Sequence, residues 1–494
     1  MTSRGSPDRS WLRLPPSATL AVVCAGVFLA SLDQTSVVTA LPPIMVDLGV
    51  SIDRLNDLAW VVTAYLLGFT VAMPLLGRAG DVYGYRRLYL GAMLLFGVGS
   101  AAVALSSSLG WLVAARVVQA VGGGALVPAA IALAGEGLPP ARRAIVFGIV
   151  GAAAEAGGVL GPLYGGLIVD WLGWRWVFWS NLPIVGVLAV ALLGMPEVGR
   201  SGGRLDLTGG ILLAGGLSLL TGGLAQRSLF GGGSVLPYVL IGGGVLLLVA
   251  LPFAERRALA PIVSMALFRA RSFAAAMSAQ LLAGAALVLI LVTVPLMTDT
   301  VLGKPPLEGG LRLMRFTGAI PVGALLGGYA ASRIGVRAPA LVGLALAAVC
   351  FALLTTWDET IAEPRLTWHL AIGGLGFGLL IAPFTVAAVE AAGIEYRATA
   401  AAWITASRMF GMTVGLAAMS ALGVDYLQSL AGGLPVPIQL PGESAAVFGE
   451  RVSVYEEGIS GASFDVFRLF FRSGLVLVAL AALPSLWMRG ARRS

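Results

Sequence analysis

Lysine is almost absent: Lys304 is the only one in 494 residues, and Pro305 follows it. A G-x-x-x-x-G-K-[ST] phosphate loop therefore cannot occur anywhere in the chain, so ATP is not the direct fuel of whatever work it does. Histidine is equally scarce, with His369 alone, and one imidazole without clustered partners does not make a zinc site. His369 stands beside Trp368 at the start of an apolar run and reads as an interface residue. The two cysteines, Cys24 and Cys350, both lie in apolar runs and read as packing residues, so no disulfide framework, metal site or cofactor is expected. Charge is also thin. With 12% charged and 58% hydrophobic residues, the chain has too little polar surface to clothe a soluble globule of this length.

What the chain has instead is hydrophobic length. Apolar runs recur near 17–39, 59–77, 88–107, 111–134, 144–169, 176–195, 207–225, 235–254, 272–296, 310–332, 339–356, 367–389, 399–423 and 467–488. Each is about the 20 residues that cross a hydrocarbon core as a helix. The expectation is an all-α polytopic membrane protein of fourteen spans. Basic residues sort into alternate loops, among them Arg86 and Arg87, Arg142 and Arg143, Arg333 and Arg337, and Arg397. Such loops face the cytoplasm, and both termini are expected there as well. The formal charge of +7 thus describes orientation and gives no support for nucleic-acid binding. The first run follows Arg4, Arg9 and Arg13 but is too long for a cleaved leader. Between the last two spans, a connector reaches from about 424 to 466, and its amphipathic part from Ala445 to Phe470 is expected to form a short helix or to extend the last span.

The second span ends in Gly77-Arg78-Ala79-Gly80-Asp81-Val82-Tyr83-Gly84-Tyr85-Arg86-Arg87. Its glycines allow close approach and a turn, and Asp81 can pair with a nearby Arg or cap a neighbouring helix. Further along stand Leu32-Asp33-Gln34-Thr35, then Arg116 with Gln119 and Gly122, then Gly157-Gly158-Val159-Leu160-Gly161-Pro162-Leu163-Tyr164-Gly165-Gly166, then Trp174-Arg175-Trp176 and Asn181-Leu182-Pro183. In this order the set resembles the major facilitator superfamily, fourteen-span drug:proton antiporter branch, and the segments Trp60 to Gly68, Met73 to Arg78 and Glu155 to Gly165 look closest to the mycobacterial lipid-exporting efflux pumps. Tyr85 departs from the pattern, standing where the loop usually has a basic residue.

The resemblance implies two six-helix bundles, residues 1–198 and 259–494, joined by a linker with two inserted helices at 199–258. Gly77, Asp81, Gly84, Arg86 and Arg87 would then form a cytoplasmic conformational latch, and Gly157, Gly161, Pro162, Gly165 and Gly166 an antiporter-motif hinge. It also implies a multi-pass protein of the bacterial cytoplasmic membrane that exports lipids or drugs against protons, with a periplasmic lipoprotein as a possible partner. The second half carries a worn copy of the first: Gly328, Ser332 and Gly335 echo Gly77, Asp81 and Gly84, while Gly411 and Gly415 echo Gly157 and Gly161. Small residues four apart also serve plain close packing.

Charges inside the spans are the strongest pointers to function, since an ionisable group in hydrocarbon must be paired or put to use. Asp33 and Arg116 fall at similar depth, roughly 8 Å below the outer face, and can pair. Glu155 falls near the midplane with Ala and Gly around it. Asp33 and Glu155 are therefore expected to carry proton coupling, with Arg116, Arg315 and Arg408 as supporting charges. Arg312 and Arg315 read mainly as snorkelling side chains. An intramembrane lipid-modifying enzyme or a non-transporting receptor is the alternative, but the absence of a membrane-centre His and of a Ser-x-x-Lys-type pair counts against the enzyme. The abundance of apolar and aromatic surface in the spans, with few charges, points to a lipophilic or amphiphilic substrate that enters from the bilayer.

Overall fold

The computed structural model describes residues 15–50, 60–136, 138–195, 206–224, 234–255, 265–304, 306–358, 360–393, 395–431, 437 and 444–489. All regular structure among them is helical. The first half holds α1 (Pro16–Asp47), α2 (Trp60–Tyr83), α3 (Tyr85–Ala104), α4 (Leu109–Ala134), α5 (Pro140–Leu172), α6 (Arg175–Trp179) and α7 (Asn181–Leu193). Then come α8 (Leu207–Leu224) and α9 (Leu236–Glu255), followed by α10 (Met265–Arg269), α11 (Arg271–Thr300), α12 (Pro306–Ile334), α13 (Arg337–Leu354), α14 (Arg365–Ala392), α15 (Arg397–Ala431) and α16 (Ala445–Ser485).

Eleven spans among the described residues are long and apolar enough to cross a membrane, with α6 and α7 counting as one broken span. Three expected spans fall outside that set for different reasons. The apolar helix α8 is short. In α12, Arg312 and Arg315 interrupt the apolar run, and in α15 the Thr, Ser and Arg side chains dilute it. The last span was expected at 467–488, but α16 begins at Ala445 and is continuous over 41 residues. At about 1.5 Å per residue it is roughly 60 Å long, twice a hydrocarbon core. The amphipathic stretch thus extends the span instead of forming a separate helix.

Packing explains the glycine content. α5 lies along α1, α2 and α3 pack on α4, α11 lies along α15 and α16, and α14 lies between α12 and α13. The two sets meet where α5 touches α12 and α2 touches α15, while α9 packs mainly on α8. Gly157, Gly161 and Gly165 recur every four residues on one face of α5, directly over the carbonyls of Phe28, Leu32 and Ser36 in α1. Gly411 and Gly415 of α15 sit in the same way over the carbonyls of Leu281 and Ala285 in α11. In lipid such backbone approach takes the place of hydrophobic burial as the cohesive force. Gly158 and Gly166 have open space beside them, so they are not part of this seam. Pro162 lies inside α5 without ending it.

Candidate functional site: a central cavity, a buried carboxylate and a latch

Between the two sets of helices lies a cavity of about 260 Å3. Its wall is mostly apolar, with Phe147, Ile381 and Ile404 among the lining residues. Charge enters at one place. Arg408 of α15 donates from Nη1 to Glu155 Oε1 of α5 at 2.5 Å, joining the two halves across the cavity. Both side chains keep about a fifth of their surface exposed, 19% and 20%. Of the supporting charges expected from the sequence, it is Arg408 that meets Glu155. Its neighbours along the helix are small, but the cation that meets it comes from a helix far away in sequence.

Asp33 is placed differently. It is 1% exposed and does not line the cavity. Its carboxylate accepts from Arg116 Nη1 at 2.8 Å, Gln119 Nε2 at 3.0 Å and Asn181 Nδ2 at 2.7 Å. Gln119 and Asn181 also donate to the Ser100 hydroxyl at 2.7 and 2.9 Å. Arg116 also donates from Nη1 to Gln119 Oε1 at 2.7 Å and from Nε to the Val61 carbonyl at 3.3 Å, and its guanidinium lies 4.0 Å from the centre of the Tyr65 ring. α4 and α7 therefore converge on the carboxylate of α1, and α3 joins the network through Ser100. The Asp33–Arg116 pair was legible from depth alone, whereas Ser100 and Tyr65 had no signal in the sequence beyond being polar residues in apolar runs.

The loop expected to act as a latch joins the two sets of helices through Asp81. Asp81 is 1% exposed. One of its oxygens accepts the Ala398 amide at 3.0 Å and the Tyr85 hydroxyl at 3.0 Å, and the other accepts the Thr399 amide at 3.0 Å and the Thr399 hydroxyl at 2.5 Å. Asp81 thus caps the first turn of α15, where a carboxylate also meets the positive end of the helix dipole. Tyr85, the departure from the pattern, supplies one of these donors. Gly84 has φ of 105°, a conformation that favours glycine, and sets the break between α2 and α3. Gly77 lies against the Ala398 carbonyl and the Ala402 methyl. Arg86 donates to the Met195 carbonyl at 2.8 Å, past the end of α7.

Two more ion pairs join the halves on this side, Arg397 with Glu136 and Arg143 with Glu390, each at 2.7 Å. Neither was anticipated, because their partners stand 261 and 247 positions apart. Arg315 goes elsewhere: it pairs with Glu363 at 2.7 Å and donates to Thr367 at 2.8 Å, away from Glu155. Arg312 pairs with Glu308 at 2.7 Å. These two arginines have acidic partners within the protein in place of the headgroups a snorkelling side chain would meet. His369 accepts from Trp357 Nε1 at 3.0 Å, a packing contact. Among the described residues no group of three metal-ligating side chains comes together.

Known proteins place this arrangement. A triacylglyceride transporter of Mycolicibacterium hassiacum is 40% identical over 466 residues, 89% of this chain and 87% of that protein. Another, from Mycolicibacterium smegmatis, is 37% identical over 483 residues, 94% of this chain and 86% of its own length. One from Mycobacterium tuberculosis is 36% identical over 476 residues, covering 91% of this chain and 92% of that protein. In fold the chain is similar to the human organic anion transporter MFSD10, with a TM-score of 0.62 at 17% identity, covering 95% of this chain and all of that one, 100%. It is also similar to the proton:xylose symporter XylE, with a TM-score of 0.60 at 15% identity over 95% of this chain and 94% of that one. Matched by the family model over residues 23–416, this multi-pass chain belongs to the major facilitator superfamily of membrane transporters.

Proposed function

We propose that the chain is a proton-coupled exporter of lipophilic compounds, lipids before drugs, working by alternating access in the bacterial cytoplasmic membrane. The observation that carries this reading is the Glu155–Arg408 pair. It is the one charged contact in an apolar cavity, and it ties the two halves together. Protonation of Glu155 from the outer side removes its charge, releases Arg408 and loosens the halves; proton release on the other side restores the pair. Asp33 is the second proton carrier in this proposal. It is enclosed by its three donors, so in this proposal a proton reaches it only when α1 moves relative to α4 and α7. Preference for lipid over drug is supported by relatives named triacylglyceride transporters, at 36% to 40% identity.

The same proposal has fourteen membrane crossings, with α8, α12 and α15 added to the eleven apolar spans, and both termini cytoplasmic. Residues 1–198 and 259–494 form the two bundles, and 199–258 the inserted pair. The latch side, with Arg86, Arg143 and Arg397, is cytoplasmic by the positive-inside rule. The closed contacts there correspond to an outward-facing state. The long α16 then projects outward and offers a surface for the periplasmic lipoprotein partner that the family resemblance implies. The test is transport by purified protein in vesicles under an imposed proton gradient, comparing a labelled neutral lipid with a lipophilic dye. Proton-coupled movement of the lipid is the expected result. Transport of neither, beside rapid movement of a sugar, amino acid or inorganic anion, removes the substrate claim and leaves the fold standing.

A further inference from the structure

Beside the ion pair the main cavity continues into a second space of about 20 Å3 between α11, α12 and α14. Glu155, Gln280, Leu287, Ile320, Ile381 and Arg408 line both, so the two spaces are contiguous. A chamber of that size admits one oxygen atom, since a single water needs about 10 to 15 Å3 by the same measure.

Two polar groups meet it without a partner. Gln280 is 7% exposed, and its carboxamide has no hydrogen-bond partner among the described residues. Arg408 Nε is buried and unpartnered as well, although Nη1 holds Glu155. Buried donors are rarely left this way in folded proteins, and those that are call for a ligand or water. The threonines of the cavity are committed. The hydroxyls of Thr317, Thr385 and Thr405 donate to carbonyls of their own helices, and Thr35 donates to the Gly158 carbonyl. Gln34, on the opposite half, is the other carboxamide left uncommitted.

We infer that Gln280 and Arg408 Nε form a seat for one ester carbonyl oxygen of an uncharged lipid, and that Gln280 is the residue by which the site distinguishes esters from hydrocarbon of the same shape. The inference rests on the exporter reading and names the feature of the substrate that the cavity reads. A carbonyl oxygen has two lone pairs, one for each N–H, and brings neither a charge nor a donor of its own. A free carboxylate or phosphate would set a second anion beside Glu155, which is repulsive at this range. The acyl chain attached to the carbonyl continues along Leu287, Ile320 and Ile381, where no hydrogen bonding is asked of it.

The experiment uses the full chain in proton-driven vesicles, with a fluorescent triacylglycerol and its triether analogue, which keeps length and shape but has no carbonyl. Wild type is expected to move the ester about tenfold faster, as one well-placed hydrogen bond allows. Gln280→Met, of similar length, is expected to lower ester transport toward the ether rate, and Gln280→Asn to recover part of the loss. Equal ester and ether rates in wild type overturn the carbonyl seat while leaving lipid export in place, and a water in the chamber then accounts for the donors. A Gln280→Met protein that keeps the full ester preference overturns the role of Gln280. Transport of neither lipid removes the exporter reading and this inference with it.

Discussion

Two carboxylates of the first half carry the same proposed task in opposite surroundings, and that difference is measurable. Asp33 is enclosed with Arg116 at 0% exposure, so Asp33→Asn strands a buried guanidinium, at a cost of about 3 to 5 kcal/mol. Glu155 faces the cavity, where water can hydrate Arg408 after its partner is neutralised. Asp33→Asn is therefore expected to lower the melting temperature of the purified protein clearly, while Glu155→Gln melts near wild type, and both lose gradient-driven export. Pairing Asp33→Asn with Arg116→Met should recover stability without recovering transport. Equal melting of the two single variants would contradict the burial argument; wild-type export across a pH gradient in both would end the coupling assignment. Asp81 differs again, since the hydrogen bonds it accepts from Ala398 and Thr399 hold α15 and touch no cavity residue. Asp81→Asn turns an amide toward the Thr399 donors, and a loss of about 2 to 3 kcal/mol corresponds to a population shift of roughly 30- to 150-fold. Labelling of Thr317→Cys in the cavity reads that shift, in a background with Cys24 and Cys350 replaced by alanine. Unchanged labelling together with weakened substrate binding would make Asp81 a binding residue instead.

Elements show which periodicities a sequence exposes. Gly157, Gly161 and Gly165 are legible as one face because four residues nearly close a helical turn, and they do form the α1 seam. Gly166 belongs to the same apparent motif in the sequence, but one further residue turns it about 100° away from α1. The two glycines should therefore respond in opposite ways to the same substitution. Gly161→Ala drives a methyl into the Thr35 hydroxyl and the Leu32 carbonyl, and overpacking of this kind costs about 1 to 3 kcal/mol. Gly166→Ala has open space and should be neutral or stabilising by up to about 1 kcal/mol, because alanine gives up less backbone freedom in a helix. Thermal melting in one detergent decides between them, and a Gly166→Ala protein as damaged as Gly161→Ala would make the motif a single hinge after all. Span ends were less legible than span centres. Where polar residues continue a helix beyond the lipid, as in α16 from Ala445, hydropathy falls while the backbone hydrogen bonds run on.

At the scale of the molecule, the partners that join the halves are the part a single sequence does not expose. The layout of apolar runs and the depth of Asp33 and Arg116 follow from local counting, but Glu136 with Arg397 and Arg143 with Glu390 depend on how two distant sets of helices meet. What counting does expose is the repeat, and the repeat has a consequence. Gly77 lies on the Ala398 carbonyl of α15, and its echo Gly328 lies on the Ala144 carbonyl of α5, with added Cβ atoms at 2.9 and 2.7 Å. Both contacts lie on the latch side, one on each flank of the closure, so together they act as two halves of one seal. A leucine at either place should wedge the latch side open and favour the opposite state, since the closed contact then costs about 1 to 3 kcal/mol more. That corresponds to roughly a 5- to 150-fold shift in the ratio of the two states. Gly77→Leu and Gly328→Leu are expected to lower the labelling rate of Thr317→Cys and raise that of Ile404→Cys, and the double variant to do so more strongly than either. Transport should fall in all three while the melting temperature moves little, because the wedge opposes one state and not the fold. If only Gly77→Leu changes the labelling, the seal is held by Asp81 and its flank alone, and the echo in the second half serves packing without a part in switching.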